Sequence, residues 1–420
     1  SSSSVEGGGV EGGGEQELDR DEAMNWEALG TFDLKVIYRK MHTGFDESKD
    51  VLPERNTVIA NRYLVERTIG QAAFSSALEC VDLASDPEDP QSVCLKRVKN
   101  NKDCFDQSLD EIQLLQYINQ SGDPEEHHIL KMYDFFYYKE HLYIVSELLR
   151  RNLYEYDQYI RKTGEEPYFT LPNLKKITVQ CLEALQFVHN LGIIHCDLKP
   201  ENIVINSYSR VEVKLIDFGS SCFQTDEMTT YIQSRSYRAP EVVLGVPYDA
   251  RIDVWSMGCV LAEMLTGYVL FQNDSVQTML ARIQGILGAF PESLLTRGKD
   301  THKYMTEESV IYERVRVMVD PDTEPLVRYL MVYPKRSCLR KRLHLVRCIV
   351  CNIARWRWFN DENASLTFLF LNRFSMTSYD PITCTHTSDV RGEERAKNSS
   401  TFWQSSSCSI PKNVRLPLRH

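Results

Sequence analysis

No stretch of the 420 residues approaches the roughly 18 consecutive apolar residues that a membrane-crossing helix needs; the longest apolar run, around residues 366–371, is far shorter. The N-terminal stretch lacks the basic-then-apolar order of a secretory leader, so membrane and secretory roles are not expected. Positive charge is in deficit: 48 Lys and Arg face 59 Asp and Glu, a net charge of −11. That balance argues against a surface built to coat nucleic acid. The 12 cysteines are too scattered, from Cys80 to Cys408, to form a disulfide framework. Reduced thiols, and residence in cytoplasm or nucleus, are expected. No internal repeat of about 20–50 residues is evident. With 42% hydrophobic and 25% charged residues, the chain reads as globular and long enough for two or three core-bearing units.

Residues 1–22 are Ser, Gly and acid with almost nothing to bury, and a disordered leader is expected there. Residues 23–62 turn mixed and apolar, a satellite segment expected to pack on the chain beyond it. Alternation predicts five strands near residues 63–69, 77–81, 93–98, 130–138 and 141–145, hence an antiparallel sheet. Between the third and fourth, Leu109, Ile112, Leu115 and Ile118 recur at helical spacing. After Glu147 the rhythm becomes helical: Leu174, Ile177, Cys181, Leu185 and Val188 mark one helix stopped at Gly192, and residues 253–265 another stopped at Gly267.

The densest chemistry is His195-Cys196-Asp197-Leu198-Lys199-Pro200-Glu201-Asn202, followed by Asp217-Phe218-Gly219 and then Ala239-Pro240-Glu241. These motifs in register resemble the catalytic loop, metal-binding triplet and closing tripeptide of eukaryotic protein kinases. Phosphoryl transfer needs a carboxylate to orient the attacking hydroxyl, metal ligands for phosphate oxygens, and a cation near the transferring group. The resemblance implies ATP as donor, Asp197 as base, Lys199 as the cation, and Asn202 with Asp217 on Mg2+, with His195 and Phe218 structural. Upstream, Val93-Cys94-Leu95-Lys96 resembles the strand-lysine motif and Glu111 its helix partner; outside this order such a pair would be ordinary surface charge. In the loop from Gly70 to Ala77, Ala72, Ser75 and Ala77 stand where Gly, Gly and Val are usual, so looser nucleotide cover is expected. Ser146 falls at the gatekeeper position, with Glu147 and Leu149 at the hinge as ATP contacts.

Cys196 replaces the arginine usual before the catalytic aspartate, so another group must hold the activation loop. Arg235 and Arg238, following Tyr231, offer to chelate one phosphate. Together with the Tyr231 to Glu241 segment, these motifs closely resemble the dual-specificity tyrosine-regulated kinase (DYRK) family of the CMGC group, and most of all its plant branch. The resemblance covers about three-quarters of the chain. It implies an α+β bilobal fold: an antiparallel small lobe with one helix (63–147) and a mainly helical large lobe (148–345). It further implies phosphorylation of Ser/Thr in protein substrates, autophosphorylation of Tyr231, and a monomer without membrane or direct nucleic-acid contacts. Asp253 resembles the helix aspartate that braces the catalytic loop, although as an acid in a first helical turn it equally suits the helix dipole.

Beyond about residue 345 the resemblance ends, and the family's final helices are expected to be missing. Residues 346–420 read as an atypical tail, as a retained intron or shifted frame would produce. In relatives Glu241 pairs with an arginine in the missing part; Arg355, Arg357 and Arg373 are candidate replacements, and residues 253–265 are expected to be left with an exposed apolar face. Cys348, Cys351, Cys384 and His386 fit no standard zinc spacing, so zinc is not expected. The cluster Lys335, Arg336, Arg340, Lys341 and Arg342 reads as a solvated basic face ahead of a nuclear signal or phosphoprotein dock. The alternative to an active kinase is an impaired truncated product that only binds partners.

Overall fold

The computed structural model describes residues 33–38, 51–272, 274–317 and 326–343. The leader, much of the 23–62 segment, and the whole 346–420 tail, with Cys348, Cys351, Cys384, His386, Arg355, Arg357 and Arg373, lie outside the described residues.

The first unit is a sheet: β1 (Lys35–Ile37), β2 (Val58–Ile59), β3 (Tyr63–Gln71), β4 (Ser75–Asp82), β5 (Ser92–Val98), then helix α1 (Lys102–Ser121), β6 (Met132–Tyr138) and β7 (His141–Glu147). The strand order is β1-β6-β7-β5-β4-β3-β2. Alternation along β4 sends Leu78 and Cys80 inward to join Tyr63, Val65, Leu95 and Phe136, with the Tyr63 and Phe136 rings stacked at 5.6 Å. The opposite face is closed by Ile112 and Cys104 of α1, packed with Val98, Leu142 and Ile144. Asn101 starts that helix by accepting the Asp103 N–H at 2.8 Å. Five strands were legible in the sequence and the sheet has seven. The additional β1 pairs in parallel with β6, and β2 joins β3, so the sheet begins before residue 63. At three and two residues, neither is long enough to show a period.

A linker at residues 148–152 leads into α2 (Leu153–Thr163) and α3 (Leu171–Asn190). The short strands β8 (Ile193–Ile194), β9 (Ile203–Ser207), β10 (Glu212–Leu215) and β11 (Cys222–Phe223) follow, then α4 (Pro240–Val243), α5 (Arg251–Thr266), α6 (Val276–Leu287), α7 (Glu292–Arg297) and α8 (Thr301–Tyr304). The hairpin β12 (Tyr312–Val317) with β13 (Leu326–Met331), and α9 (Leu339–Arg342), complete the described part. Gly267 takes φ 76° and its N–H bonds the Glu263 carbonyl, which stops α5. The expectation of an exposed apolar face on α5 is overturned: Ile252, Trp255, Met257, Val260 and Met264 are buried. Helix α3 packs along α5, and Trp255 stacks on Phe271 at 5.5 Å.

Of the basic cluster, Lys335, Lys341 and Arg342 join Arg282, Tyr268 and Tyr333 around a cavity of about 620 Å³. The segment is held to α6 by a main-chain bond, Ser337 N–H to the Gly285 carbonyl at 2.8 Å. A Cβ on Gly285 would lie 2.5 Å from the Lys335 carbonyl oxygen, too close for either backbone to tolerate. Gly285→Ala gains about 1 kcal/mol of helix propensity, yet is expected to detach residues 335–343. Limited trypsinolysis checks this: cleavage at the basic cluster should speed up by about threefold or more.

Candidate active site

Lys96 lies on β5 directly opposite Ala77 of β4 and Ile144 of β7, so these side chains share one face of the sheet. Helix α1 brings Glu111 to that face. Lys96 Nζ donates to Glu111 Oε1 and Oε2 at 2.7 and 2.8 Å, and to Asp217 Oδ1 at 3.0 Å. Burial pulls the Lys96 ammonium down, but the two carboxylates outweigh it and hold Lys96 above the ordinary lysine value. The charge of Lys96 in turn holds Asp217 below the usual carboxylate range. Two residues 121 apart in sequence are thereby bound as an ion pair across the two lobes.

The catalytic-loop motif is bent around Asp253, which is fully buried on α5. Its carboxylate accepts the main-chain N–H groups of His195 and Cys196 at 2.8 and 3.0 Å, and the His189 ring N–H at 2.8 Å. Cys196 is thereby kept at φ 62°, a left-handed conformation costly for a side-chain-bearing residue. His195 Nε2–H donates to the Ile216 carbonyl, while its Nδ1 accepts the Asp197 N–H. Phe218 is buried against the His195 ring at 5.0 Å, and Asp217 sits at φ 66°. Asp197 Oδ2 accepts from Lys199 Nζ at 2.5 Å, and the Asn202 amide donates to the Asp197 carbonyl at 2.9 Å.

Ser234, which the sequence motifs did not single out, donates from its hydroxyl and its N–H to Asp197 Oδ1 at 2.7 and 3.1 Å. Gln233 beside it takes φ 62° and is buried. Its amide bonds Ile252 O, Ser256 Oγ and the Ala239 N–H, fastening the activation segment to α5. Tyr231 is 90% exposed, with the Arg238 guanidinium 6.0 Å from its ring centre. Arg238 also donates to the Ile232 and Gln233 carbonyls, and Arg235 begins the 3-10 turn Arg235–Tyr237. Cys196 and Cys222 approach to 3.5 Å, sulfur to sulfur.

The loop between β3 and β4 closes through the Ala72 N–H to the Ser75 carbonyl at 2.8 Å. Gly70 has room for a Cβ, and none of Gly70, Ala72, Ser75 or Ala77 has positive φ, so the missing glycines carry no backbone strain in this conformation. Buried Ser146 is paired opposite Cys94 on the Lys96 face. Glu147, one residue on, therefore points to the other face, where its carboxylate meets Lys214 Nζ at 2.7 Å. Only its main chain is left toward the cleft, next to Leu149 in the linker. Among the described residues no cluster of three His, Cys, Asp or Glu side chains forms a metal cage. The Asp217 carboxylate and the Asn202 amide oxygen suit Mg2+, a hard cation that fills its sphere with water and substrate phosphates.

Residues 63–326 match the family model described as Protein kinase domain, and the chain belongs to that family. It is 38% identical over 272 residues to Dual specificity protein kinase YAK1 of Saccharomyces cerevisiae, covering 63% of this chain and 33% of that protein. It is 41% identical over 237 residues to Dual specificity tyrosine-phosphorylation-regulated kinase 4 of Homo sapiens, covering 56% and 44%. The chain thus spans less than half the length of these curated relatives. A solved kinase-domain crystal structure superposes with a TM-score of 0.56 at 28% identity, covering 63% of this chain and 82% of that one. Among the described residues no helix is long and apolar enough to cross a membrane.

Glu241, in the first turn of α4, has no ion pair among the described residues. Burial pushes its carboxyl up to about 7, the Asp249 charge adding to the effect and Arg251 opposing it. A raised acid costs nothing below its unfolded pKa, and its penalty grows as pH climbs toward the folded value. Wild type is therefore expected to lose on the order of 3 kcal/mol relative to Glu241→Gln between about pH 4.5 and pH 8. Urea unfolding across that range checks this. A Gln variant less stable than wild type at the alkaline end would instead place a cation on Glu241 from outside the described residues.

Proposed function

We propose that the chain is a DYRK-family protein kinase that transfers the γ-phosphate of ATP to Ser and Thr of protein substrates and autophosphorylates Tyr231. The observation that carries this reading is the joined constellation at the cleft. Lys96 is bonded at once to Glu111 and Asp217, and Asp197 is oriented by Lys199 and Ser234. Lys96 would bind the α- and β-phosphates, with Glu111 keeping its ammonium aimed. Asp197 has one oxygen set by Ser234 and the other by Lys199, so it can hold an incoming hydroxyl in line and take its proton. Lys199, already beside Asp197, would neutralise charge developing on the transferred group. Mg2+, when bound by Asp217 and Asn202, would screen the phosphate oxygens. The main chain at Glu147 and Leu149 would meet the adenine, under cover of Gly70 and Ala77.

Tyr231 is proposed as the modified residue because it is exposed and stands beside Arg238, with Arg235 four residues on. A phosphate there would find charge-assisted partners. The dual-specificity names of its relatives support the same reading. The proposal includes the plant branch of the family, an atypical C-terminal end, a monomeric state and residence in cytoplasm or nucleus. One observation favours the alternative of an impaired binding module: Glu241 is half-buried and makes no ion pair among the described residues, the Arg251 charge only partly offsetting the effect of burial.

Phosphate incorporation from Mg·ATP into the chain itself and into a generic basic protein tests the proposal. Asp217→Asn is expected to lower incorporation by about a hundredfold or more, with phosphate mapping to Tyr231 in wild type alone. No incorporation by either protein, and an unmodified Tyr231 peptide, would favour the binding module.

A further inference from the structure

Lys214 is buried at 2% exposure on β10, three residues before Asp217, and no step of the proposed phosphate transfer uses it. Its ammonium donates to both Glu147 oxygens at 2.7 and 2.8 Å and to Glu125 Oε1 at 2.5 Å. Glu147 Oε1 also accepts the Lys131 N–H at 2.7 Å, and the Glu147 N–H donates to the Lys131 carbonyl at 3.0 Å. One cation therefore ties together the end of β7, the loop between α1 and β6, and the strand that leads into Asp217.

The linker is held again only a few residues later. The Arg150 N–H donates to Ile205 O at 2.9 Å and Arg151 O accepts the Ile205 N–H at 3.0 Å. Leu148 and Leu149 are suspended between these two anchors. Without Lys214, Glu147 would carry a carboxylate with no buried cation to answer it, and its side chain would turn toward water. The linker main chain would turn with it.

We propose that Lys214 is a positioning residue for nucleotide binding: by clamping the Glu147 carboxylate on the far face of the sheet, it holds the linker main chain toward the cleft. The inference rests on the reading of the chain as an ATP-dependent kinase and assigns a determinant of nucleotide affinity outside the nucleotide's own contacts. A purely structural ion pair would lower the unfolding temperature and leave the affinity of the folded enzyme unchanged. A positioning clamp weakens nucleotide binding while the transfer step, carried by Asp197 and Lys199, keeps its rate.

The test uses the full chain and two variants. Lys214→Met removes the cation but strands the Glu147 carboxylate and can unfold the protein. Lys214→Met combined with Glu147→Leu removes the clamp and leaves no uncompensated charge at Glu147. Three quantities are read: ADP affinity by calorimetry, and KM for ATP and kcat on a basic protein substrate. The expected result, in the double variant and in whatever fraction of the single variant folds, is an ADP Kd and an ATP KM raised about tenfold with kcat within about twofold. A folded double variant with wild-type ADP affinity overturns the proposal, as does a loss confined to kcat. Failure of the underlying reading looks different: wild type itself would then bind no ADP and transfer no phosphate.

Discussion

The buried carboxylate of Asp253 is the constraint on which the site depends. It is fully excluded from solvent, and the three N–H groups that converge on it come from α3 and from two successive residues of the catalytic loop. A buried charge is tolerated only where its lone pairs are answered, and here answering them forces the loop to fold back over the start of α5. The left-handed turn at Cys196 is the local cost of that bend, and the orientation of Asp197 is its product. Asp253 also sits in the first turn of α5, where a negative charge meets the helix dipole. Bracing and dipole are thus one arrangement, in which the helix end stabilises the carboxylate that holds the loop.

From that fixed loop one short segment joins the two lobes. Asp217 reaches forward to Lys96, whose second partner Glu111 brings α1 against the sheet. Lys214, three residues earlier, reaches back to Glu147 at the start of the linker. The segment from 214 to 217 therefore carries a cation toward one lobe contact and an anion toward the other. A shift in its position would alter both. Gln233 and Ser234 fasten the activation segment to the same base, through α5 and Asp197 respectively.

The sequence displayed whatever was periodic or motif-bound. The alternation in β3 to β7, the helical spacing of α1, α3 and α5, and the glycines that stop α3 and α5 are local patterns, and they were readable as such. The motif resemblance also named Lys96, Glu111, Asp197, Asn202, Asp217 and Asp253 before their distances were visible. What escaped was non-local. Strands β1 and β2 are too short to carry a period. Ser234 and Gln233 lie in a run of ordinary polar residues, and only the fold brings them to Asp197 and Ser256. Lys214 stands between Val213 and Leu215 in a run too short to mark its role, and the partners that explain it are 67 and 89 residues away. Glu147 ends β7 at the linker, and which face its side chain takes depends on the strand's register.

The most direct test of the account is the rate of phosphate transfer by Asp253→Asn at saturating Mg·ATP, measured together with its ADP affinity. An asparagine of the same shape turns an N–H toward one of the loop N–H groups, so the brace is lost while the lobes stay joined through Lys96 and Asp217. The account expects transfer to fall by about tenfold or more with ADP affinity retained. Transfer at the wild-type rate would show that the catalytic loop holds its shape without the buried carboxylate, and would contradict the account at its base.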